Sequence, residues 1–243
     1  LKVLDHPHVE MSCIYLLWWL PLLAPIRWLA SATPTSTVPK TMPTILNTDI
    51  GTFMDDTFAL AFALELSQLD LRLVVTASFD TIGRAKVAAK HLSMAGADHI
   101  PIGVGLRTSN ATGPLFGWAA DFDLSKYPGG VYADGVKAMQ ETIDSYNGTI
   151  VTLITIGPHT NVKSLLERFP GIEHRVRVIV MGGSVVPGIH LPWGHVTPVN
   201  TTNERLDPAA ARAMLHAKWS RPLQLAPVDT TYKVVIRGDL WQN

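Results

Sequence analysis

From residue 44 onward the chain alternates between two kinds of apolar pattern. Short runs rich in β-branched residues and leucine, at 44–48 (TILNT), 71–77 (LRLVVTA), 99–104 (HIPIGV), 149–156 (TIVTLITI), 176–181 (VRVIVM) and 223–228 (LQLAPV), read as strands. Segments of helical character lie between or after them, at 57–66 (TFALAFALEL), 84–95, 134–146, 161–168 and 208–217. The last opens on Pro208, at a first-turn position where a missing N–H does no harm. Strands that alternate with helices predict βαβ units and the α/β class, with a mostly parallel open sheet and helices on both faces. A stretch rich in glycine, proline and aromatic residues at 106–130 reads as loop.

In such a sheet ligands sit beyond the carboxyl ends of the strands, so the residues that follow each strand carry the chemistry. After the first strand come Asp49, Asp55 and Asp56, and after the second Phe79 and Asp80. After the fourth comes Gly157-Pro158-His159-Thr160-Asn161. After the fifth come Gly182-Gly183-Ser184 and a long loop ending in His195, Asn200, Asn203 and Asp207.

The first forty residues have a different character. An apolar run at 14–26 (IYLLWWLPLLAPI) is followed by Arg27 and the small-residue triplet Ala30-Ser31-Ala32, which resembles a secretory signal without its basic n-region. Pro21, Pro25 and Arg27 break what a membrane span would need, ~20 uninterrupted apolar residues. Residues 1–32 are therefore expected to be a signal peptide or upstream segment, 33–43 a Ser/Thr/Pro-rich linker, and 44–243 the folded domain. N-x-S/T sequons at Asn110, Asn147 and Asn200 fit a secreted glycoprotein, with the cytoplasm as the alternative location.

Composition narrows the function classes. With 243 residues, 47% of them hydrophobic, the chain can bury one large core. Twenty basic residues balance 20 acidic ones, which argues against a nucleic-acid partner. The single cysteine, Cys13, excludes an internal disulfide and a cysteine-based zinc site. No P-loop is present, Gly103-Val104-Gly105 lacks the third glycine of a dinucleotide fingerprint, and no G-x-S-x-G elbow occurs. A phosphatase with its nucleophile on the first strand end would place it at Asn47, which cannot attack phosphorus.

Asp49, Asp55 and Asp56 form a cluster of hard oxygens around Gly51, a residue free to turn. Calcium takes six to eight such oxygens, main-chain carbonyls included. Asp55 or Asp56 could instead cap the following helix. Asp49, at the strand end, has no use as a cap. Asp207 before Pro208 reads as a helix cap, and His159 as a cap or filler at a helix start.

The segment ILNTDIGTFMDDTFALAFAL resembles the signature of the inosine-uridine-preferring nucleoside hydrolases, D-x-D-x-G followed by a spacer, D-D and an Ala/Leu helix. VVTASFDTIGRAKVAAKHLSMAGADHIPIGVG, LITIGPHTNVKSLLERFPGIEHRVRVIVMGG and GHVTPVNTTNERLDPAAARAML are similar to three further blocks of that family, in order. The resemblance implies calcium-dependent hydrolysis of the N-glycosidic bond of ribonucleosides, with a small nucleoside as partner, no nucleic acid, and a homo-oligomer left open. It implies that Asp49 is both a calcium (Ca2+) ligand and the acceptor of a proton from water. Asp56 and the main-chain carbonyl of Ile156 would be the other metal ligands. Asp55, Asp80, Met181, His195 and Asn203 would meet the substrate. Four positions depart from the family pattern. Asn47 stands for the first aspartate, the spacer Thr52-Phe53-Met54 is longer, Thr201 replaces a glutamate and His195 an asparagine. The family's last segment is not found before Asn243, so the alternative expectation is a truncated, non-catalytic homologue with at most weak sugar binding.

Overall fold

The computed structural model describes residues 41–186, 189–191, 194–196 and 201–234, with backbone alone for 189–191 and 194–196. The expected signal segment, most of the expected linker, Asn200 and the side chain of His195 lie outside the described residues.

Strands β1 (Met42–Thr48), β2 (Leu69–Thr76), β3 (Ile102–Gly103), β4 (Val131–Tyr132), β5 (Val151–Thr155), β6 (Val176–Met181) and a later one, β9 (Gln224–Ala226), form a seven-stranded sheet. Its order is β4-β3-β2-β1-β5-β6-β9, and every pairing is parallel. Between β6 and β9 lies an antiparallel hairpin of β7 (Ile189–Leu191) and β8 (Gly194–Val196). The helices are α1 (Asp55–Glu65), α2 (Thr81–Met94), α3 (Gly135–Ser145), α4 (Thr160–Arg168), α5 (Thr202–Leu206), α6 (Pro208–His216) and α7 (Val228–Thr231).

The strands are apolar on both faces because both faces are covered. Leu46, Val74, Ile154 and Ile179 point into one core with Ala59, Leu60 and Ala63 of α1 and Ala85, Ala88 and Leu92 of α2. Their neighbours Ile45, Leu73, Val75, Leu153, Val178 and Val180 point into the other, with Met139 of α3, Val162 of α4 and Met214 of α6. Successive side chains thus leave opposite faces, the period-two geometry of a strand.

Several boundaries differ from the sequence expectation. β1 starts at Met42, so Met42 and Pro43 belong to the sheet rather than the linker. α1 starts at Asp55, which places both aspartates in a first turn where negative charge is favoured. The strand expected at 99–104 pairs only at Ile102–Gly103, just after Pro101, which has no N–H to give to a ladder. β4 was not expected; two residues carry too little pattern to be seen. Pro227 closes β9, and Asp229, the residue after the run read as a strand at 223–228, sits in α7.

Candidate active site

The chain moves outward from β1 in one direction through β2, β3 and β4, and in the other through β5, β6 and β9. β1 and β5 are therefore the pair between which the order reverses, where a crevice opens at the carboxyl edge. The Ala77 amide donates to the Thr48 carbonyl at 2.8 Å and the Ile156 amide to the Asn47 carbonyl at 2.9 Å. Beyond these bonds begin the loops after β1, β2 and β5.

Asn47 anchors that junction. Its Nδ2 donates to Thr155 Oγ1 at 2.9 Å, and its Oδ1 accepts from Asn161 Nδ2 at 2.8 Å. Asn161 also donates to the Thr76 carbonyl at 3.0 Å and accepts from the Leu106 amide at 2.8 Å. Strands β1, β2 and β5, the start of α4 and the loop after β3 are thereby tied by a buried and satisfied network, with Asn47 and Asn161 at 0% exposure. Asparagine at position 47 serves as donor and acceptor at once, a pairing that an ionised aspartate could not make.

Above the network Asp49 is half-buried and Asp56 is buried. Gly51, at φ +106°, makes the turn between them, a conformation that side chains rarely adopt. Gly157 lies under Asp49, and a Cβ there would stand 2.8 Å from Asp49 Oδ1. Asp56 Oδ1 accepts from the Thr48 hydroxyl, and Asp55 Oδ1 accepts from the Asp56 amide at 3.0 Å. Met54 holds the cap position of α1 without a side-chain cap bond, so the helix-capping alternative does not explain Asp56. The longer spacer loops outward, with Phe53 and Met54 exposed, and leaves the aspartates together.

Burial raises the pKa of Asp49 from 3.8 to about 6, opposed by the Arg84 charge and helped by Asp55. Burial also holds Asp56 well above the usual carboxylate range, with the charges of Asp49 and Asp55 adding to it and the Thr48 hydrogen bond opposing. Among the described residues no three His, Cys, Asp or Glu side chains converge as a metal site. The groups that could serve as donors for an ion here are the Asp49 and Asp56 carboxylates and the Ile156 carbonyl. All are hard oxygens, and the carboxylates are short of positive charge, so the set fits an oxygen-seeking divalent cation.

Arg84 was missed by sequence reasoning. It is fully buried, on the first turn of α2. Nη1 donates to the carbonyls of Asp49 and, at 2.9 Å, Ile50, while Nε donates to the Ser78 carbonyl at 2.9 Å. Its guanidinium carbon lies 5.6 Å from the ring centroid of Phe79 and 5.9 Å from that of Phe116. Asp80 takes the cap position of α2, and its Oδ1 lies 3.6 Å from Arg107 Nη2.

The far side of the crevice is held by α5. Asn203 Nδ2 donates to the Ile156 carbonyl at 2.9 Å and the Met181 carbonyl at 3.1 Å, joining the ends of β5 and β6. One lone pair of the expected metal-ligand carbonyl is thus already engaged. Glu204, also missed, accepts from the hydroxyl of Thr201 and lies 3.2 Å from His159 Nε2. His159 is fully buried and makes no helix-capping bond, and its Nδ1 has no hydrogen-bond partner among the described residues. Asp207 caps α6 by accepting from the Ala210 amide at 2.9 Å, as expected, and it also accepts from Thr160 Oγ1 at 2.7 Å. Asp229 accepts from Ser184 Oγ and the amides of Val185 and Val186 at 3.1, 2.9 and 2.8 Å, fixing the loop after β6. Asp49, Asp55, Asp56, Asp80, Ile156, Met181 and Asn203 all lie at the carboxyl edge; His195 falls in β8, with only its backbone described.

The sequence profile described as inosine-uridine preferring nucleoside hydrolase matches residues 44–243. The chain belongs to this family. Over 209 residues it is 28% identical to the non-specific ribonucleoside hydrolase RihC of Klebsiella pneumoniae, covering 82% of this chain and 65% of that protein. An uncharacterized protein of Schizosaccharomyces pombe, C17G8.02, is 38% identical over 111 residues, 45% of this chain and 32% of that one. The chain thus spans less than two thirds of the length of these curated relatives. Among solved structures, the plant nucleoside hydrolase PpNRh1 superposes with a TM-score of 0.62 at 23% identity, covering 79% of this chain and 60% of that one. The inosine-uridine preferring nucleoside hydrolase from Bacillus anthracis gives 0.60 at 20% identity, over 76% and 65%. These two likenesses establish the fold.

Proposed function

We propose that this chain binds a ribonucleoside at its carboxyl edge and hydrolyses the N-glycosidic bond, giving ribose and free base. The observation that carries this reading is a pair of carboxylates, Asp49 and Asp56, set together at the switch point with their charge incompletely answered. Family membership supports the substrate class. Calcium would be held by Asp49, Asp56 and the Ile156 carbonyl, and when bound it would keep both carboxylates ionised and acidify water in the site.

Asp49 accepts the proton of the attacking water. The water oxygen bonds to the anomeric carbon as the bond to the base breaks, through a sugar with oxocarbenium character, and the departing base takes up a proton. Asp55 and Asp80 bond sugar hydroxyls. Asn203, whose nitrogen is tied to two carbonyls, offers Oδ1 to a hydroxyl. Met181 lines the pocket, and His195 is assigned to the substrate on the resemblance alone. Export through the secretory pathway belongs to the same proposal, and the exposure of Asn110 and Asn147 supports it.

The test is ribose release from inosine and uridine by the full chain. Release that is abolished by a chelator and by Asp49→Ala supports the proposal. The absence of both ribose release and heat of calcium binding would defeat it. A non-catalytic ribosyl-binding homologue is the second reading, favoured by the Thr201 hydroxyl, which is tied to Glu204 instead of facing a ligand. Nucleoside binding without ribose release would select it.

A further inference from the structure

We infer that Arg84 is a positioning residue, whose guanidinium sets the geometry of the Asp49–Asp56 loop for its ion. The inference rests on the reading of Asp49 and Asp56 as ion ligands, and it adds a residue that the resemblance did not name.

The geometry is unusual for a buried arginine. Its three hydrogen bonds among the described residues all go to main-chain carbonyls, those of Asp49, Ile50 and Ser78. A buried cation without a hydrogen-bonded carboxylate is expensive unless negative charge lies nearby. Asp49, Asp56 and Asp80 provide it, all within electrostatic reach of the guanidinium. Arg84 therefore grips the backbone of the acidic loop and makes none of its hydrogen bonds to that loop's carboxylate oxygens. A lysine could supply the charge but not the planar fork that spans two loops.

The surroundings hold the guanidinium in place. Phe79 and Phe116 flank it, Ser78 and Phe79 take positive φ angles of 66° and 54°, and Gly83 leaves room for the Phe116 ring. The Phe116 segment also reaches the acidic loop, where the Leu115 amide donates to the Gly51 carbonyl at 3.2 Å. Without Arg84 the carbonyls of Asp49 and Ile50 would lose their donor, and the loop would be free to turn its carboxylates apart.

Arg84→Met and Arg84→Lys in the full chain test this by two readouts: calcium titration calorimetry, and amide hydrogen exchange of the peptide covering 48–54. Arg84→Met is expected to weaken calcium binding about 10- to 100-fold, the range for residues that orient metal ligands. It should speed exchange in 48–54 while β5 and β6 exchange as in the wild type. Arg84→Lys should recover part of the affinity, a graded rescue that a residue of merely structural use would not give. Wild-type or tighter calcium binding by folded Arg84→Met would overturn the inference, because a cation that only competes with the ion would give that result. If Arg84→Met does not fold, Arg84→Lys decides, and wild-type affinity with wild-type exchange overturns the inference. Absence of calcium binding in the wild type would instead defeat the ion reading, and exchange in 48–54 then decides for or against Arg84 as the holder of the loop.

Discussion

Asp56 and Asp229 are alike in burial, at 5% and 7% exposure, and both sit at the carboxyl edge of one sheet. Their chemistry is opposite. Asp229 takes three hydrogen bonds from the loop after β6, and those bonds hold its carboxyl below the ordinary carboxylate range against the effect of burial. Asp56 takes one from Thr48, faces two other aspartates, and is held well above that range, first by burial. Glu204 behaves like Asp229, with His159, Thr201 and the Gly183 amide overcoming burial. One side of the crevice is thus a finished structural joint. The other is acidic and incomplete, as expected of a surface that completes itself with a cation and a hydroxyl-rich ligand.

The largest expected effect is on the finished side. Asp229→Ala leaves the amides of Val185 and Val186 without their acceptor, and it should lower stability by about 3 kcal/mol, read by chemical denaturation. The same kind of change on the other side should differ in sign. Asp56→Asn removes a buried charge that lacks a full partner, so the metal-free chain should gain roughly 1 kcal/mol at neutral pH. A loss as large as that of Asp229→Ala would erase the contrast.

Gly157→Ala comes next. It pushes a methyl to within 2.8 Å of Asp49 Oδ1 and 2.9 Å of its amide nitrogen, so Asp49 must move. Stability should fall by about 1–3 kcal/mol, and calorimetry should show calcium affinity lowered along with it.

The smallest effect is in the pH dependence. Asp49 rises from 3.8 to about 6 on folding, so the folded state binds more protons than the unfolded between those values. Stability of the metal-free wild type therefore carries a component that declines as pH rises from 3.8 to about 6 and is flat above. Asp229 and Glu204, with lowered values, contribute stability that is present at neutral pH and is lost on acidification. Asp56, also raised, adds a decline of the same sign, so Asp49→Asn should reduce the decline between pH 4 and pH 6 and leave the second component. A denaturation series from pH 4 to pH 7 on both proteins separates them, and identical pH profiles would contradict the assignment.

What the sequence revealed follows from contact range. The carboxylate loop lies within eight consecutive residues, so its strand end, glycine turn and acidic helix start could be read directly. The βαβ alternation was legible for the same reason, since each strand and helix carries its own periodicity. Arg84 was not, because its partner Asp49 is 35 residues away and nothing local separates it from a solvated helix arginine. His159 and Glu204, 45 residues apart, were hidden likewise. The main-chain carbonyl of Ile156 could be placed only by resemblance, and only the fold revealed that Asn203 already donates to it. Asn47, which stands where the family has its first aspartate, suits its network because both of its functional groups are used.

The acidic loop as an ion site is tested most directly by thermal unfolding of the full chain with and without calcium, at pH 7 and pH 5. The account predicts a calcium-induced rise in the midpoint at pH 7, a smaller rise at pH 5 because the ligands must first lose protons, and none in Asp49→Ala. A wild-type midpoint that calcium does not move, or an equal shift in Asp49→Ala, would contradict it.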